Sequence, residues 1–203
     1  MFIVFEGGDG VGKSTQIQFL QETLEKSGWR VCLCREPGST PLGERIREVL
    51  LHQKALQMSR MSELLLFMAA RAQVTREVIL PALERGEVVL ADRFLMSSIV
   101  YQGYAGGLDV EEIRQIGVSA TAGIAPDLTI VLDASVETGK ARRGDTEPDR
   151  LESESTDFHQ RVRQGFLTEA KRLGDRAIVI SAEATPETIR SAIQKAVCEK
   201  CGL

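Results

Sequence analysis

The sequence contains no asparagine. The Asn-Lys-x-Asp motif with which signalling GTPases recognise guanine is therefore absent, and no segment matches the LSGGQ signature of transporter ATPases. Apolar runs are short, since none approaches the roughly 18–20 residues that cross a bilayer. The opening residues, MFIVFEGG, lack the basic segment and the small-residue cleavage site of a signal peptide. We therefore expect a cytoplasmic protein that does not associate with membranes.

Cysteine and histidine are also scarce. Four cysteines occur, as Cys32-x-Cys34 and Cys198-x2-Cys201. Because the first pair alternates along a predicted buried strand, we expect structural thiols, and a four-cysteine zinc site that joins the two pairs is the alternative. The two histidines have no partner pattern. No Ser/His/Asp or Cys/His arrangement indicates nucleophilic catalysis.

The net charge of −4 argues against a large nucleic-acid interface, which needs a concentrated basic face. The arginines are nevertheless clustered in two groups, which are Arg35, Arg45 and Arg47, and Arg142, Arg143 and Arg150. Local positive charge in an acidic chain suits small phosphorylated ligands. We expect such ligands, and not nucleic acid, as partners.

Short apolar runs rich in Val, Ile and Leu alternate with helical stretches. The predicted strands are 2–5, 30–34, 88–91, 128–132 and 177–180, and this composition is typical of strands buried on both faces of a parallel sheet. The predicted helices are 14–26, 42–51, 59–85, 110–123, 136–143, 157–173 and 186–199. The alternation indicates a doubly wound α/β fold in one domain, 1–203. Composition alone makes 144–155 (GDTEPDRLESES) a solvated loop.

A phosphate-binding loop follows the first predicted strand, because GGDGVGKS matches G-x4-G-K-[ST] in full. Its glycines let backbone N–H groups approach phosphate oxygens, and the next helix adds its N-terminal dipole. Lys13 supplies a charge to the β- and γ-phosphates, and the Ser14 hydroxyl ligates Mg²⁺. The residues predicted to bind the nucleoside triphosphate are Gly7, Gly8, Asp9, Gly10, Val11, Gly12, Lys13, Ser14 and Thr15.

Asp92 ends the third predicted strand, in the Walker-B position beside the phosphate-binding loop, where it would hold the metal or its waters. The alternative is an ordinary turn residue. A short chain that adds arginines to such a loop fits phosphoryl transfer to a small phosphorylated acceptor. Arginine suits that task because its planar fork binds two phosphate oxygens at once.

Four further motifs resemble those of the thymidylate kinase family, and their order and spacing agree along nearly the whole chain. They are Arg35-Glu36-Pro37-Gly38, Asp92-Arg93-Phe94, Tyr101-Gln102-Gly103 and Asp149-Arg150-Leu151-Glu152. The resemblance implies a P-loop NTPase fold, with a five-stranded parallel sheet in the order 2-3-1-4-5. It implies that ATP and Mg²⁺ convert dTMP to dTDP for dTTP synthesis. The alternatives are another nucleotide or nucleoside kinase, or a P-loop binding module without turnover.

The resemblance also implies roles for single residues. Arg35 and Arg93 would bind the 5′-phosphate of the acceptor, with Arg93 bridging to the transferred group and Arg47 in support. Asp9 would contact the sugar 3′-hydroxyl or the metal. The residues implied at the nucleoside are Phe67 stacked on thymine, Arg71 on a base carbonyl, Ser98 and Gln102 at the base edge, and Tyr101 against the deoxyribose. Without the family motifs, Phe67 would be a core residue and Tyr101 a structural one.

A lid at about 142–155 is the last implied feature. Gly10 occupies a position where some family members carry an arginine, so the lid would supply that charge from Arg142, Arg143 or Arg150. With Lys13, Arg35 and Arg93, these are the predicted catalytic residues. Residues 181–185 would lie against adenine. A homodimer packed through helices is implied too, with Ile113, Ile116 and 61–68 as candidate contacts, and the alternative is that these are core residues.

Overall fold

The computed structural model describes residues 1–53, 55–144 and 147–202. In chain order the elements are β1 (Phe2–Glu6), α1 (Lys13–Lys26), β2 (Val31–Arg35), α2 (Pro41–Arg47), α3 (Arg60–Val74), α4 (Leu80–Glu84), β3 (Val88–Asp92), α5 (Leu95–Ser98), α6 (Val110–Ala120), β4 (Leu128–Asp133), α7 (Val136–Arg143), α8 (Thr156–Leu173), β5 (Ala177–Ser181) and α9 (Pro186–Cys201). Most helices begin at a residue whose side chain accepts a backbone N–H bond. These N-caps are Thr40, Ser59, Asp109, Ser135, Ser155 and Thr185.

Within the described residues, five strands form one parallel sheet in the order β2-β3-β1-β4-β5, which confirms the predicted fold. Phe5 pairs with Asp92 across β1 and β3, and Arg35 pairs with Asp92 across β2 and β3. The carboxyl ends of these three strands therefore lie side by side. In open α/β sheets, ligands bind beyond such strand ends.

Alternate side chains of the central strands face two helical layers. Ile3 and Phe5 pack in one buried cluster with residues of α1 and α9. Phe2 and Val4 point to the opposite face, where they pack with residues from α4 and the end of α3. Burial on both faces explains why β1 is a continuous apolar run rather than an alternating one. None of the helices in the described part of the chain has the length and apolar character of a membrane span.

β2 and β5 lie at the edges of the sheet, and for them the prediction of burial on both faces is wrong. Leu33 is 45% exposed and Val179 is 47% exposed. The helices pack over the centre of the sheet, so an edge strand is covered less completely. Cys34 is buried as expected and burial raises the pKa of its thiol, but Cys32 on the same edge strand is only half-buried.

The second cysteine pair lies at the end of α9. Cys198 is exposed, and the side chain of Cys201 lies outside the described residues. Among the described side chains, no group of three or more His, Cys, Asp or Glu is placed to hold a metal ion.

Three helical segments depart from the predicted pattern. α2 continues into a π-helical turn at Glu48–His52, and another at Thr75–Ile79 joins α3 to α4, so the predicted helices there are continuous but not uniform. The helical stretch formed by α5 and the π-helical Ile99–Ala105 was not predicted. Its sequence, LMSSIVYQGYA, contains mostly residues of intermediate or low helix propensity, and tertiary packing buries most of it.

Candidate active site

Most of the predicted site residues meet in one cavity of about 690 Å³ at the carboxyl ends of β1, β2 and β3. Those that line it are Asp9, Gly10, Val11, Gly12, Lys13, Ser14, Thr15, Arg35, Arg47, Phe67, Arg71, Asp92, Arg93, Ser98, Tyr101, Gln102, Arg142 and Arg143. Gly7, Gly8 and Arg150 are the predicted site residues that do not line it. The cavity therefore joins the P-loop to the second set of arginines.

The P-loop follows β1 and leads directly into α1. Gly7, Gly10 and Gly12 have φ values of 132°, 75° and 93°, which glycine adopts without steric cost. Lys13 Nζ donates to the carbonyl oxygens of Gly7 and Gly8, at 3.2 and 2.7 Å. Burial and the nearby charge of Arg93 lower the pKa of Lys13. An ammonium held in this way is ready to exchange carbonyl contacts for phosphate oxygens.

Asp92 and Ser14 meet at the end of β3. The Ser14 hydroxyl donates to Asp92 Oδ2 at 3.2 Å, which confirms that the acid lies beside the P-loop. A hydroxyl and a carboxylate are the oxygen ligands that Mg²⁺ prefers, and Mg²⁺ takes only one or two protein ligands when phosphates and water supply the rest. The donor set at this position therefore fits that ion.

Asp9, Arg93 and Tyr101 form a bonded group at the centre of the cavity. Arg93 pairs with Asp9 and also donates to the carbonyl of Gly7 at 3.0 Å. The Tyr101 hydroxyl donates to Asp9 Oδ2 at 2.9 Å. Burial alone would raise the pKa of Asp9, but the charges of Arg93 and Lys13 and the bond from Tyr101 lower it to about 2. Asp9 is therefore an ionised acceptor at neutral pH.

Arg35 and Arg47 are two further cations of the cavity. Arg35 pairs with Glu44 at 3.0 Å, and its side chain is 54% exposed. Arg47 Nη1 donates to the carbonyl of Pro37 at 2.9 Å. Each of these contacts uses one nitrogen of the guanidinium, and the other nitrogens can donate to an anion.

Arg71 lies on α3 and is 1% exposed, although it carries a charge. Its Nε donates to Glu36 Oε2 at 2.7 Å, Nη1 to Ser98 Oγ at 2.9 Å, and Nη2 to the carbonyl of Phe94 at 3.0 Å. Burial raises the pKa of Glu36 to about 7, although the charge and the hydrogen bond of Arg71 act to lower it. These contacts hold the guanidinium in one orientation at the cavity wall. Phe67 lies four residues earlier, half-buried, and lines the same cavity.

The candidate lid arginines differ in position. Arg142 and Arg143 lie in the last turn of α7 and line the cavity, where Arg142 Nη1 donates to the carbonyl of Ala182 at 2.6 Å. Arg143 pairs with Glu152 at 3.1 Å. Arg150 instead donates to the carbonyl of Leu50 at 2.8 Å. Residues 145–146 of the predicted lid lie outside the described residues.

The helix that carries two of these arginines contacts the P-loop closely. A Cβ added at Gly10 would lie 2.1 Å from the carbonyl oxygen of Gly139, and a Cβ added at Gly139 would lie 2.4 Å from the carbonyl oxygen of Asp9. The absence of side chains at Gly10 and Gly139 therefore allows the backbones of the P-loop and α7 to come into contact. Any larger residue at Gly10 requires a different position of α7.

The loop predicted to lie against adenine, 181–185, contributes Ala184 to the cavity, next to Pro186 and Ile189. Gln16 Nε2 donates to the carbonyl of Pro186 at 3.0 Å and so joins this loop to α1. The loop thus lies beside the first turn of α1, directly after the P-loop.

Sequence reasoning missed several buried acids around the cavity. Glu36 lies in the motif Arg35-Glu36-Pro37-Gly38, and this position was the signal that could have identified it. Glu6 accepts from the backbone N–H groups of Phe94 and Ser97, at 2.9 and 3.1 Å, and fixes the chain after β3. Burial raises the pKa of Glu6. Glu63 is fully buried, and nothing in its local sequence marks it.

Comparisons with known proteins point to a single family. Residues 5–193 match the family model described as Thymidylate kinase. A relative named thymidylate kinase in Thermoanaerobacter sp. (strain X514) is 49% identical over 179 residues, which cover 88% of each chain. One from Deinococcus radiodurans is 45% identical over 203 residues and covers 98% of this chain and 97% of its own.

A solved structure gives the same result. The crystal structure of thymidylate kinase from Ehrlichia chaffeensis superposes with a TM-score of 0.80 at 34% identity, and the match covers 97% of both chains. The resemblance that the motifs indicated is confirmed over nearly the whole length, and the chain belongs to the thymidylate kinase family.

Proposed function

We propose that this chain transfers the γ-phosphoryl group of ATP to dTMP, which gives ADP and dTDP for dTTP synthesis. The observation that carries the proposal is the single cavity that holds both a complete P-loop and a second cation-rich subsite. A P-loop alone would serve many ATPases, whereas the second subsite supplies what an acceptor nucleotide needs. The names of the relatives support dTMP as that acceptor.

On the donor side, the backbone N–H groups of the P-loop and the ammonium of Lys13 bind the β- and γ-phosphates. The oxygens of Ser14 and Asp92 would hold Mg²⁺, directly or through water. There the ion would neutralise negative charge on the phosphates of the nucleoside triphosphate. Ala184 and Ile189 border the place of the adenine.

On the acceptor side, Arg35 and Arg93 bind the 5′-phosphate and Arg47 supports it. Each guanidinium offers donors that match phosphate oxygens. Arg93 also lies against the P-loop, so it bridges the acceptor to the transferred group. The ionised Asp9 accepts a hydrogen bond from the sugar 3′-hydroxyl, or lies near the metal instead.

The nucleoside is positioned by the remaining wall of the cavity. Phe67 stacks on thymine, and Arg71, held by its contact with Glu36, donates to a base carbonyl. Ser98 and Gln102 lie at the base edge. The Tyr101 ring packs against the deoxyribose and leaves no room for a 2′-hydroxyl.

Catalysis in this scheme is alignment and charge neutralisation, since phosphoryl transfer asks for little covalent chemistry from the protein. The lid supplies the last cation over ATP and excludes water. Arg142 and Arg143 are the favoured candidates because they line the cavity. Arg150 is assigned a supporting role, since it bonds to the carbonyl of Leu50 instead.

The test is ADP release from Mg-ATP with dTMP, dUMP, dCMP, dGMP and UMP as separate acceptors. We expect strong preference for dTMP, and no ADP release above background from a Lys13→Ala variant under the same conditions. Turnover with a different preferred acceptor would retain the kinase and reject the base assignment. Absence of turnover with every acceptor would instead favour the binding-module alternative.

We also propose a homodimer in the cytoplasm. Leu65 on α3 and Val118 on α6 are 50% and 58% exposed, and these two helices pack together. Ile113 is fully buried in the monomer core and is therefore not a contact. Sedimentation of wild type and of Val118→Asp would distinguish a dimer from a monomer, since a buried carboxylate at a dimer interface is costly.

A further inference from the structure

Glu63 is a fully buried carboxylate in the first turn of α3 to which none of the roles above is assigned. It does not line the cavity. Burying a carboxylate is costly unless it is paired and hydrogen-bonded. Its partners come from two parts of the molecule that both bear on the reaction.

The first partner is Gln102, whose Nε2 donates to Glu63 Oε1 at 2.8 Å. Gln102 is 1% exposed and lines the acceptor cavity. An ionised carboxylate accepts hydrogen bonds and donates none, so the amide nitrogen must face Glu63. The amide cannot rotate by 180° without placing its oxygen against the carboxylate. Glu63 therefore leaves the carbonyl oxygen of Gln102 as the end of the amide that can contact another group.

The remaining partners are Arg150, in the predicted lid, and Arg60, in the first turn of α3. Glu63 Oε2 lies 2.5 Å from Arg150 Nη2 and 3.5 Å from Arg60 Nη1. Arg60 also pairs with Glu154 at 2.5 Å. Arg150 and Glu154 both lie within the predicted lid segment. One carboxylate thus connects the distal end of the lid with a side chain at the acceptor base.

We propose that Glu63 is a positioning residue that orients the Gln102 amide for pyrimidine recognition, while Arg150 and Arg60 hold its carboxylate in place. This inference rests on the proposed function, because it takes the acceptor to be dTMP. With its nitrogen held by Glu63, Gln102 offers its carbonyl oxygen to the base edge. Thymine carries a hydrogen on N3 that this oxygen accepts, whereas cytosine carries a lone pair on N3 that it repels.

Glu63→Gln reverses the constraint, because Arg150 and Arg60 retain the oxygen of the new amide on their side and its nitrogen then faces Gln102. Gln102 can then turn and donate to N3 of cytosine. We expect the ratio of kcat/KM for dTMP to that for dCMP to fall at least tenfold. A purely structural role would lower both values in proportion and leave the ratio unchanged. A ratio within twofold of wild type in the folded variant would overturn the proposal.

Two companion variants keep the test decisive. Glu154→Gln breaks the lid pair with Arg60 but does not touch Gln102, so we expect its acceptor ratio to stay within twofold of wild type. Glu63→Asp keeps the negative charge but shortens the side chain by one methylene, which withdraws the carboxylate from Gln102, and we expect a fall in the ratio of at least threefold. If Glu63→Gln does not fold, as judged by circular dichroism, an unchanged ratio in Glu63→Asp overturns the proposal.

The wild-type protein separates the two possible failures. If wild type shows no preference for dTMP over dCMP, the proposed base site is wrong and the variants are not needed. If wild type discriminates and both Glu63 variants discriminate equally well, only the role of Glu63 is wrong.

Discussion

Replacing Gly139 with alanine is expected to reduce kcat strongly and to reduce the free energy of unfolding only slightly. Gly139 lies within α7, and its φ is not in the left-handed region. Helix propensity alone would therefore make the alanine variant more stable by about 1 kcal/mol. The new Cβ, however, would lie 2.4 Å from the carbonyl oxygen of Asp9 in the P-loop. Both sides of this contact are backbone, so neither can move as a flexible side chain would.

Overpacking of this kind costs about 1–3 kcal/mol, which exceeds the gain in propensity. We expect a net loss of about 1 kcal/mol, and hence a fall in Tm of about 2–4 °C. Relief of the contact requires α7 and the P-loop to move apart by roughly 1 Å. A displacement of that size in groups that align the reaction can cost on the order of 10²-fold in rate. Arg142 and Arg143 move with α7, so kcat should fall between about tenfold and hundredfold.

The assay is steady-state ADP release at saturating ATP and dTMP, together with thermal unfolding by circular dichroism. Glu137→Ala is the matched control, since Glu137 lies on the same helix with an exposed side chain. Its stability should change by no more than about 0.5 kcal/mol and its kcat should be unaffected. A Gly139→Ala protein that is more stable than wild type, with kcat within twofold, would refute the reasoning.

Three further predictions concern single side chains of the cavity. The pKa of Glu36 rises from an ordinary 4.5 to about 7, so the folded protein binds this proton more tightly than the unfolded chain. This contributes about 3 kcal/mol of stability below pH 4.5 that is lost as the pH rises through 7. Between pH 5 and 8, the free energy of unfolding of wild type, measured in urea, should therefore fall relative to that of Glu36→Gln. A difference between the two proteins that stays constant with pH would contradict the raised pKa of Glu36. Tyr101→Ala should lose discrimination between ribo- and deoxyribo-TMP while Tyr101→Phe retains it; unchanged kinetic discrimination in the alanine variant would reject steric exclusion. Alanine at Arg142 or Arg143 should reduce kcat by up to ~10³-fold, as for an arginine finger. Alanine at Arg150 should reduce it less, and kcat within twofold of wild type in all three variants would exclude a catalytic lid arginine.

Local sequence determined much of this protein because some chemistry is local. The P-loop needs glycines, a lysine and a hydroxyl at adjacent positions, so its residues could be identified before any fold was known. The alternation of apolar runs and helical stretches likewise predicted the parallel sheet, because burial on both faces imposes continuous apolar strands. The acid at Asp92 could be predicted from the end of its strand alone.

Tertiary structure decided what depends on pairs distant in the chain. Arg71 and Glu36 are 35 residues apart, and Gln102 and Glu63 are 39 apart. Neither pairing can be derived from spacing along one helix, because it depends on how α3 crosses the elements beside it. The helical stretch around Gln102 was missed for a related reason, since tertiary packing buries a segment whose local helix propensity is only intermediate.

The same distinction separates the arginines of the lid. Their sequence predicted three equivalent cations, whereas the fold places Arg142 and Arg143 at the cavity and brings Arg150 to a carbonyl of the turn after α2. It likewise places β2 at an edge and leaves Leu33 exposed, although its composition matches that of a central strand. Composition and motif thus determined which chemical groups this protein has, because those signals reside in neighbouring residues. Only the tertiary structure decided which groups face each other, because the strand order and the helix crossings bring distant residues together.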